Sequence, residues 1–241
     1  MTIGRRRRGG PGLGGLSLHR NLVGYFKLEE LSGTRFDATG RGNNLTDNNT
    51  VTQAAGIVGN AGQFTAANSE YLSIADNADL SVGDIDFTVA CWLYFDTNSG
   101  TRVALSKGNN DTDNNTAYMI QYVAAPTDRL RFRVGNGTNN TTVVADTFGA
   151  ILTATWLFVV AWHDSVADTI NIQINNGGAN SAARTGGSYD DARAFRIGTD
   201  PGDIPGDFWD GRIDAVGVWK RVLTAAERTL LYNNGNGRQL F

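Results

Sequence analysis

Phe208–Glu227 reads FWDGRIDAVGVWKRVLTAAE, and its pattern decides how the rest of the chain is read. Val216 and Val218 alternate as on a strand with one face in a core, and the same phase puts Asp214 in line with them. A carboxylate among core residues costs several kcal/mol unless it finds donors or a cation. Thr224-Ala-Ala-Glu227 then has the spacing of a capping box, which predicts a helix start directly after the strand. Asn233-Asn234-Gly235 ends that helix, with Gly235 expected as its left-handed cap.

The remainder alternates in the same way. In IDFTVACWLYF, residues 85–95, Phe87, Val89, Cys91, Leu93 and Phe95 share one face. In RLRFRV, Leu130, Phe132 and Val134 face one way and Arg129, Arg131 and Arg133 the other, as on a sheet with one wet face. Trp156–His163 is apolar on both faces, so it is expected to be central. GQFTAANSEYLSI, residues 62–74, predicts two short strands around a turn, and Asn176-Gly177 is a hairpin signal. Gly is abundant at 30 residues, Pro scarce at four, and Asn, Asp and Thr crowd the gaps between apolar runs. Only four Glu occur, Glu29, Glu30, Glu70 and Glu227, fewer than a helical protein of 241 residues carries. About a dozen strands without βαβ alternation predict an all-β fold, a two-sheet antiparallel sandwich with one short C-terminal helix.

Charge divides the chain. Residues 1–20 hold Arg5, Arg6, Arg7, Arg8 and Arg20 and no acid, a balance of +5, against −8 for the remainder. This Gly/Arg-rich arm lacks the apolar residues to fold alone, so the domain is placed at 21–235, with an arm at 1–20 and a tail at 236–241. Without interleaved aromatics the arginines suit an acidic protein surface better than nucleic acid. Cys91, the lone cysteine, lies in an apolar run and is expected to be a core thiol. No run is long enough to span a membrane, and no apolar segment of a signal peptide follows the arginines.

At family level the chain resembles the laminin-G-like, concanavalin A-like lectin/glucanase jelly roll of bacterial and bacteriophage proteins. The residues that carry the resemblance are Leu22–Glu29 with Ser32-Gly33, Asp37–Gly40 with Gly42-Asn43, Gly59–Phe64 with Tyr71–Ile74, and Asp86–Trp92. Leu105–Gly108, Thr155-Trp156, Phe208 with Gly211–Trp219, Leu223–Glu227 and Leu231-Tyr232 complete it, over about residues 21–235. The resemblance implies a jelly-roll sandwich and leaves the ligand open, because such folds serve sugar binding, adhesion and scaffolding. It also implies that calcium is the metal to consider. Together with chain order it would bring Asp37 and Asn43 near Asp214 as oxygen donors. The alternative is that Asp37 caps its own turn and Asp214 accepts backbone N–H groups.

Catalysis finds little support. Glycoside hydrolysis needs two carboxylates flanking the scissile bond. The closely spaced Glu-x-Asp-x-Glu of glucanases with this fold is absent, as is any Gly-x-Ser-x-Gly elbow. Asn109–Asn115 resembles a calcium loop but lacks the glycine and bidentate Glu that such loops need, so it is expected to be a solvated hairpin loop. For sugar binding, Trp209, Tyr118 and Tyr189 are the candidates by loop or strand-end position.

The leading expectation is therefore a non-catalytic structural or adhesive sandwich. Its basic arm would anchor it to other subunits of a larger assembly, such as a bacteriophage capsid decoration or tail protein assembled in the host cytoplasm, with glycans touched by the sandwich. A free, calcium-assisted carbohydrate-binding module is the alternative, and a glycoside hydrolase is supported least.

Overall fold

The computed structural model describes residues 17–109 and 114–241. Arg5, Arg6, Arg7 and Arg8, and the centre of the Asn109–Asn115 loop, lie outside the described residues. Among the described residues fifteen strands form two antiparallel sheets. The eight-stranded sheet runs β13 (Asn180–Ala183), β12 (Thr169–Ile174), β11 (Trp156–Asp164), β6 (Phe87–Phe95), β15 (Gly211–Trp219), β4 (Asn60–Phe64), β3 (Thr52–Ala55), and β1 (Leu22–Phe26) also pairs with β15. The seven-stranded sheet runs β10 (Asn140–Val144), β9 (Arg129–Gly135), β8 (Thr116–Val123), β7 (Arg102–Gly108), β14 (Phe195–Ile197), β5 (Tyr71–Ile74), β2 (Thr46–Asn48).

The core between the sheets is the set that alternation picked out. Phe87, Val89, Cys91, Leu93 and Phe95 meet Leu130, Phe132 and Val134, with Ile170, Ile172 and Ile174 beside them. Cys91 is free and buried, and desolvation pushes its thiol far above the ordinary range. The expected pair of short strands in 62–74 exists, but β4 and β5 belong to opposite sheets, and the one-turn helix Ala66–Asn68 between them is a corner.

Only one face of the eight-stranded sheet looks into this core. Over its outer face lies a second apolar layer of Leu18, Leu22, Tyr25, Trp92, Phe158, Trp162, Trp219, Leu223 and Leu231. Leu231 comes from α1 (Ala225–Tyr232), which starts as predicted: Thr224 Oγ1 accepts from the Glu227 N–H and Glu227 answers to the Thr224 N–H. The helix ends two residues earlier than expected, because Asn233 takes the left-handed cap that was assigned to Gly235. Asn tolerates that conformation through its short polar side chain. Leu18 closes the other edge of the layer, where Trp219 Nε1 donates to its carbonyl at 2.7 Å. Arg221 donates to the carbonyls of Ser17 (3.0 Å) and Arg20 (2.9 Å) and pairs with Glu227 at 2.7 Å.

Strand β15 departs from its expected phase. Ile213, Val216 and Val218 enter the core, but Asp214 points to the outer face, in register with Trp92. A bulge at Ala215 (φ 50°) shifts the pairing with β6 between Asp214 and Gly217. One extra residue reverses the side on which every earlier side chain emerges. No helix among the described residues is long and apolar enough to cross a membrane.

Candidate functional site

Two of the three aromatic candidates are core residues. Tyr118 is fully buried, its ring 5.4 Å from that of Phe87 and its hydroxyl donating to the Leu80 carbonyl at 3.0 Å. It shares the inward phase of β8 with Ile120 and Tyr122. Trp209 is also fully buried, its ring 4.5 Å from Phe95, because the Trp209 N–H bonds to the Gly198 carbonyl and turns the side chain between the sheets. Tyr189 alone is half-buried, lying against Gly137 at the end of the seven-stranded sheet.

The carboxylates of the proposed oxygen set are tied to different backbone groups. Asp37 and Asn43 meet: the Asp37 carboxylate accepts from the N–H groups of Tyr25, Thr39 and Asn43 and from the Thr39 hydroxyl. Asp214 Oδ2 accepts instead from the N–H groups of Ile57 (2.8 Å) and Val58 (3.1 Å). Burial raises its carboxyl to about 7, against the pull of the Val58, Ile57 and Ala215 N–H groups, and the Glu29 charge adds to the rise. Among the described residues no group of three or more His, Cys, Asp or Glu side chains converges as a metal site would require. Asp37 thus caps its own turn and Asp214 accepts backbone N–H groups. The glutamates also have local duties: Glu70 accepts from Thr65 N–H and Asn68, Glu30 from Phe36 N–H, Glu227 from Arg221.

A different set of side chains shares one surface. On the outer face of the eight-stranded sheet, next to the C-terminal end of α1, Trp156 of β11 stands opposite Tyr94 of β6, Tyr94 opposite Arg212 of β15, Arg212 opposite Gln63 of β4, and Gln63 opposite Thr52 of β3. Five neighbouring strands at about 4.8 Å spacing make a row about 19 Å long. Its first four members are half-buried and Thr52 is exposed. Each points outward because its strand neighbours, Leu157, Leu93, Phe95, Ile213, Phe64 and Val51, point into the core.

The row is held rigidly. Tyr94 and Trp156 lie 5.3 Å apart at 56°, forming a shallow aromatic notch. The Arg212 guanidinium sits over the Tyr94 ring at 4.6 Å. Its Nε donates to Gln63 Oε1 (3.2 Å) and its Nη1 to the Ala55 carbonyl (3.2 Å). Gln63 Nε2 donates onward to Asp96 Oδ2 at 2.8 Å. A flat ring surface, a fixed planar donor, an amide and a carboxylate acceptor therefore lie within reach of one extended ligand. The sequence held half of the signal, since Tyr94 occupies the off-core phase of β6. Alternation alone puts Arg212 on the core side of β15; the bulge at Ala215 turns it outward.

The model of the family described as the concanavalin A-like lectin/glucanases superfamily matches residues 66–227 of this chain. Comparison with curated proteins finds no match. Among solved structures, the chain is similar to the binding domain of Paraclostridial Mosquitocidal Protein 1, with a TM-score of 0.67 and 16% identity over 91% of this chain and 53% of that one. It is similar to domain 4 of AbnA, an extracellular arabinanase from Geobacillus stearothermophilus solved with arabinotriose, with a TM-score of 0.64 and 17% identity over 90% of this chain and 98% of that one. A third is the binding domain of Botulinum Neurotoxin DC in complex with SialylT, with a TM-score of 0.65 and 12% identity over 90% and 52%. The chain spans about half the length of the two toxin domains, and at these identities the likeness shows the fold.

Proposed function

This chain belongs to the concanavalin A-like lectin/glucanases superfamily, and on that premise we propose that it is a non-catalytic glycan-binding module. The observation that carries the proposal is the row Trp156–Tyr94–Arg212–Gln63 on the outer face of the eight-stranded sheet. Pyranose rings present apolar C–H faces ringed by hydroxyls, and binding them takes a fixed aromatic surface flanked by planar donors and acceptors. The arabinanase domain solved with arabinotriose and the neurotoxin domain solved with SialylT support this choice of ligand.

The test is affinity electrophoresis through gels carrying insoluble and soluble polysaccharides. The protein is retarded by at least one polysaccharide, Trp156→Ala removes the retardation, and Trp156→Phe keeps part of it. Equal retardation of the native protein and a folded Trp156→Ala variant would overturn the proposal.

Anchoring through residues 1–20 belongs to the same proposal, with an adhesive assembly such as a virion as its setting. What supports it is the charge contrast of +5 against −8, and the clasp that fixes the arm's base through Leu18, Trp219 and Arg221. Deleting residues 1–16 leaves that clasp whole, so loss of incorporation into the parent assembly would report on the arm alone. Unchanged incorporation would refute the anchoring role.

A further inference from the structure

Resting on the glycan-binding reading, we infer that the ligand of the Trp156–Arg212 row is an acidic glycan, whose carboxylate or sulfate is received by Arg212. The inference starts from what Arg212 lacks. Its hydrogen bonds are to an amide oxygen and a backbone carbonyl, both neutral, and no carboxylate among the described residues pairs with it. Arg221, Arg193 and Arg41 each have a carboxylate within 3.2 Å, whereas Arg228 and Arg196, like Arg212, donate to neutral oxygens beside an aromatic ring; of these three, Arg212 is the one that stands in the row.

Acids around it are held by other groups, and Asp214, two residues along β15 on the same face, is taken by the Ile57 and Val58 N–H groups. Asp96 is held by Gln63 Nε2, and the same Gln63 presents its oxygen to Arg212, so a neutral amide stands between the two charges. The Asp210 carboxylate is taken by the Thr97 hydroxyl (2.7 Å) and the Ala66 N–H (3.2 Å). The side chain is nonetheless fixed, by two hydrogen bonds and by the Tyr94 ring beneath it. A guanidinium held through Nε and Nη1, with no partner for Nη2 among the described residues, is preorganised for an oxyanion, and Arg is the side chain whose planar fork matches carboxylate and sulfate.

Trp156 lies two strands from Arg212, about 10 Å away across the sheet. That separation places the ring of one sugar on the indole while the acidic substituent of the next reaches the guanidinium. Thr52 lies beyond, on β3, and the Asp96 carboxylate, reaching from the end of β6, stands at Gln63; both meet hydroxyl groups and not a second anion. The ligand thus runs across the strands, with its charge near the middle of the row.

A glycan array bearing carboxylated, sulfated and neutral oligosaccharides tests this, using the full chain, Arg212→Gln, Arg212→Lys and Trp156→Ala. Acidic glycans are expected to dominate the hits, and Arg212→Gln to weaken them about ten- to a hundredfold. Arg212→Lys restores part of that loss, and neutral relatives change less than about twofold. The carboxylated and sulfated arms show which oxyanion is taken. Binding also weakens with added salt. Hits that are mainly neutral, or equal losses on acidic and neutral glycans in a folded Arg212→Gln protein, would overturn the acidic class while leaving the glycan-binding reading standing. If no glycan binds, or Trp156→Ala binds as well as the native chain, the glycan-binding reading itself fails.

Discussion

Gly211 lies so close to Tyr94 that a Cβ built on it would stand 2.1 Å from the Tyr94 carbonyl oxygen. Its φ of 141° adds a conformation that L side chains rarely adopt. Gly211 opens β15 and sets Arg212 beside Tyr94, so the row depends on a residue without a side chain. Gly211→Ala is expected to destabilise the protein by about 1–3 kcal/mol. Urea unfolding would show a lower midpoint, and any glycan retention should fall as well. An unchanged midpoint would mean that β6 and β15 approach less closely than described.

Trp209 was a sugar-binding candidate and is a core residue. Trp209→Ala should therefore cost about 3–5 kcal/mol, read as a lower denaturation midpoint. Whatever fraction remains folded should bind glycan as the native chain does. A stable Trp209→Ala protein that has lost binding would return Trp209 to the surface.

Asp214 should make stability depend on pH. Its carboxyl is raised from the ordinary 3.8 to about 7 in the fold, chiefly by burial, so between those values the folded state holds a proton that the unfolded state has lost. The stabilisation this gives is complete below about pH 4 and is lost as pH rises through 7, at no more than about 1.4 kcal/mol per unit. Asp214→Asn keeps an oxygen for the Ile57 and Val58 N–H groups and removes the titration. Chemical denaturation from pH 4 to 8 should show a decline in the native protein that the variant lacks. A native protein that gains stability over this range relative to Asp214→Asn would contradict the assignment.

Calcium should leave the fold unchanged. The Asp37 carboxylate faces three N–H groups and a hydroxyl, donors whose positive ends point where a cation would need oxygens. Thermal unfolding with EDTA and with millimolar calcium is expected to coincide. A rise in Tm with calcium that Asp37→Asn abolishes would show a cation site.

Much of the fold was legible because period-two alternation is a local property. The inward sets of β6, β9 and β12 are spelled out by neighbours two residues apart, and the capping box of α1 by residues three apart. The burial of Trp209 was not legible, since a large aromatic in a polar loop reads the same whether it folds inward or outward. Nor was the corner between β4 and β5, because a short turn looks alike whether it joins partners or crosses between sheets.

Sequence alone determined that this chain is an all-β sandwich with one capped helix, and that it lacks the closely spaced carboxylates of the glucanases that share its fold. Those properties depend on residue type and short spacing. Tertiary structure decided which side Asp214 and Arg212 take, because one residue of bulge at Ala215 reverses a strand's faces at little local cost. It also decided the candidate site. Gln63, Tyr94, Trp156 and Arg212 are scattered along the chain and meet only through the order of β11, β6, β15 and β4, a pairing that sequence periodicity does not encode.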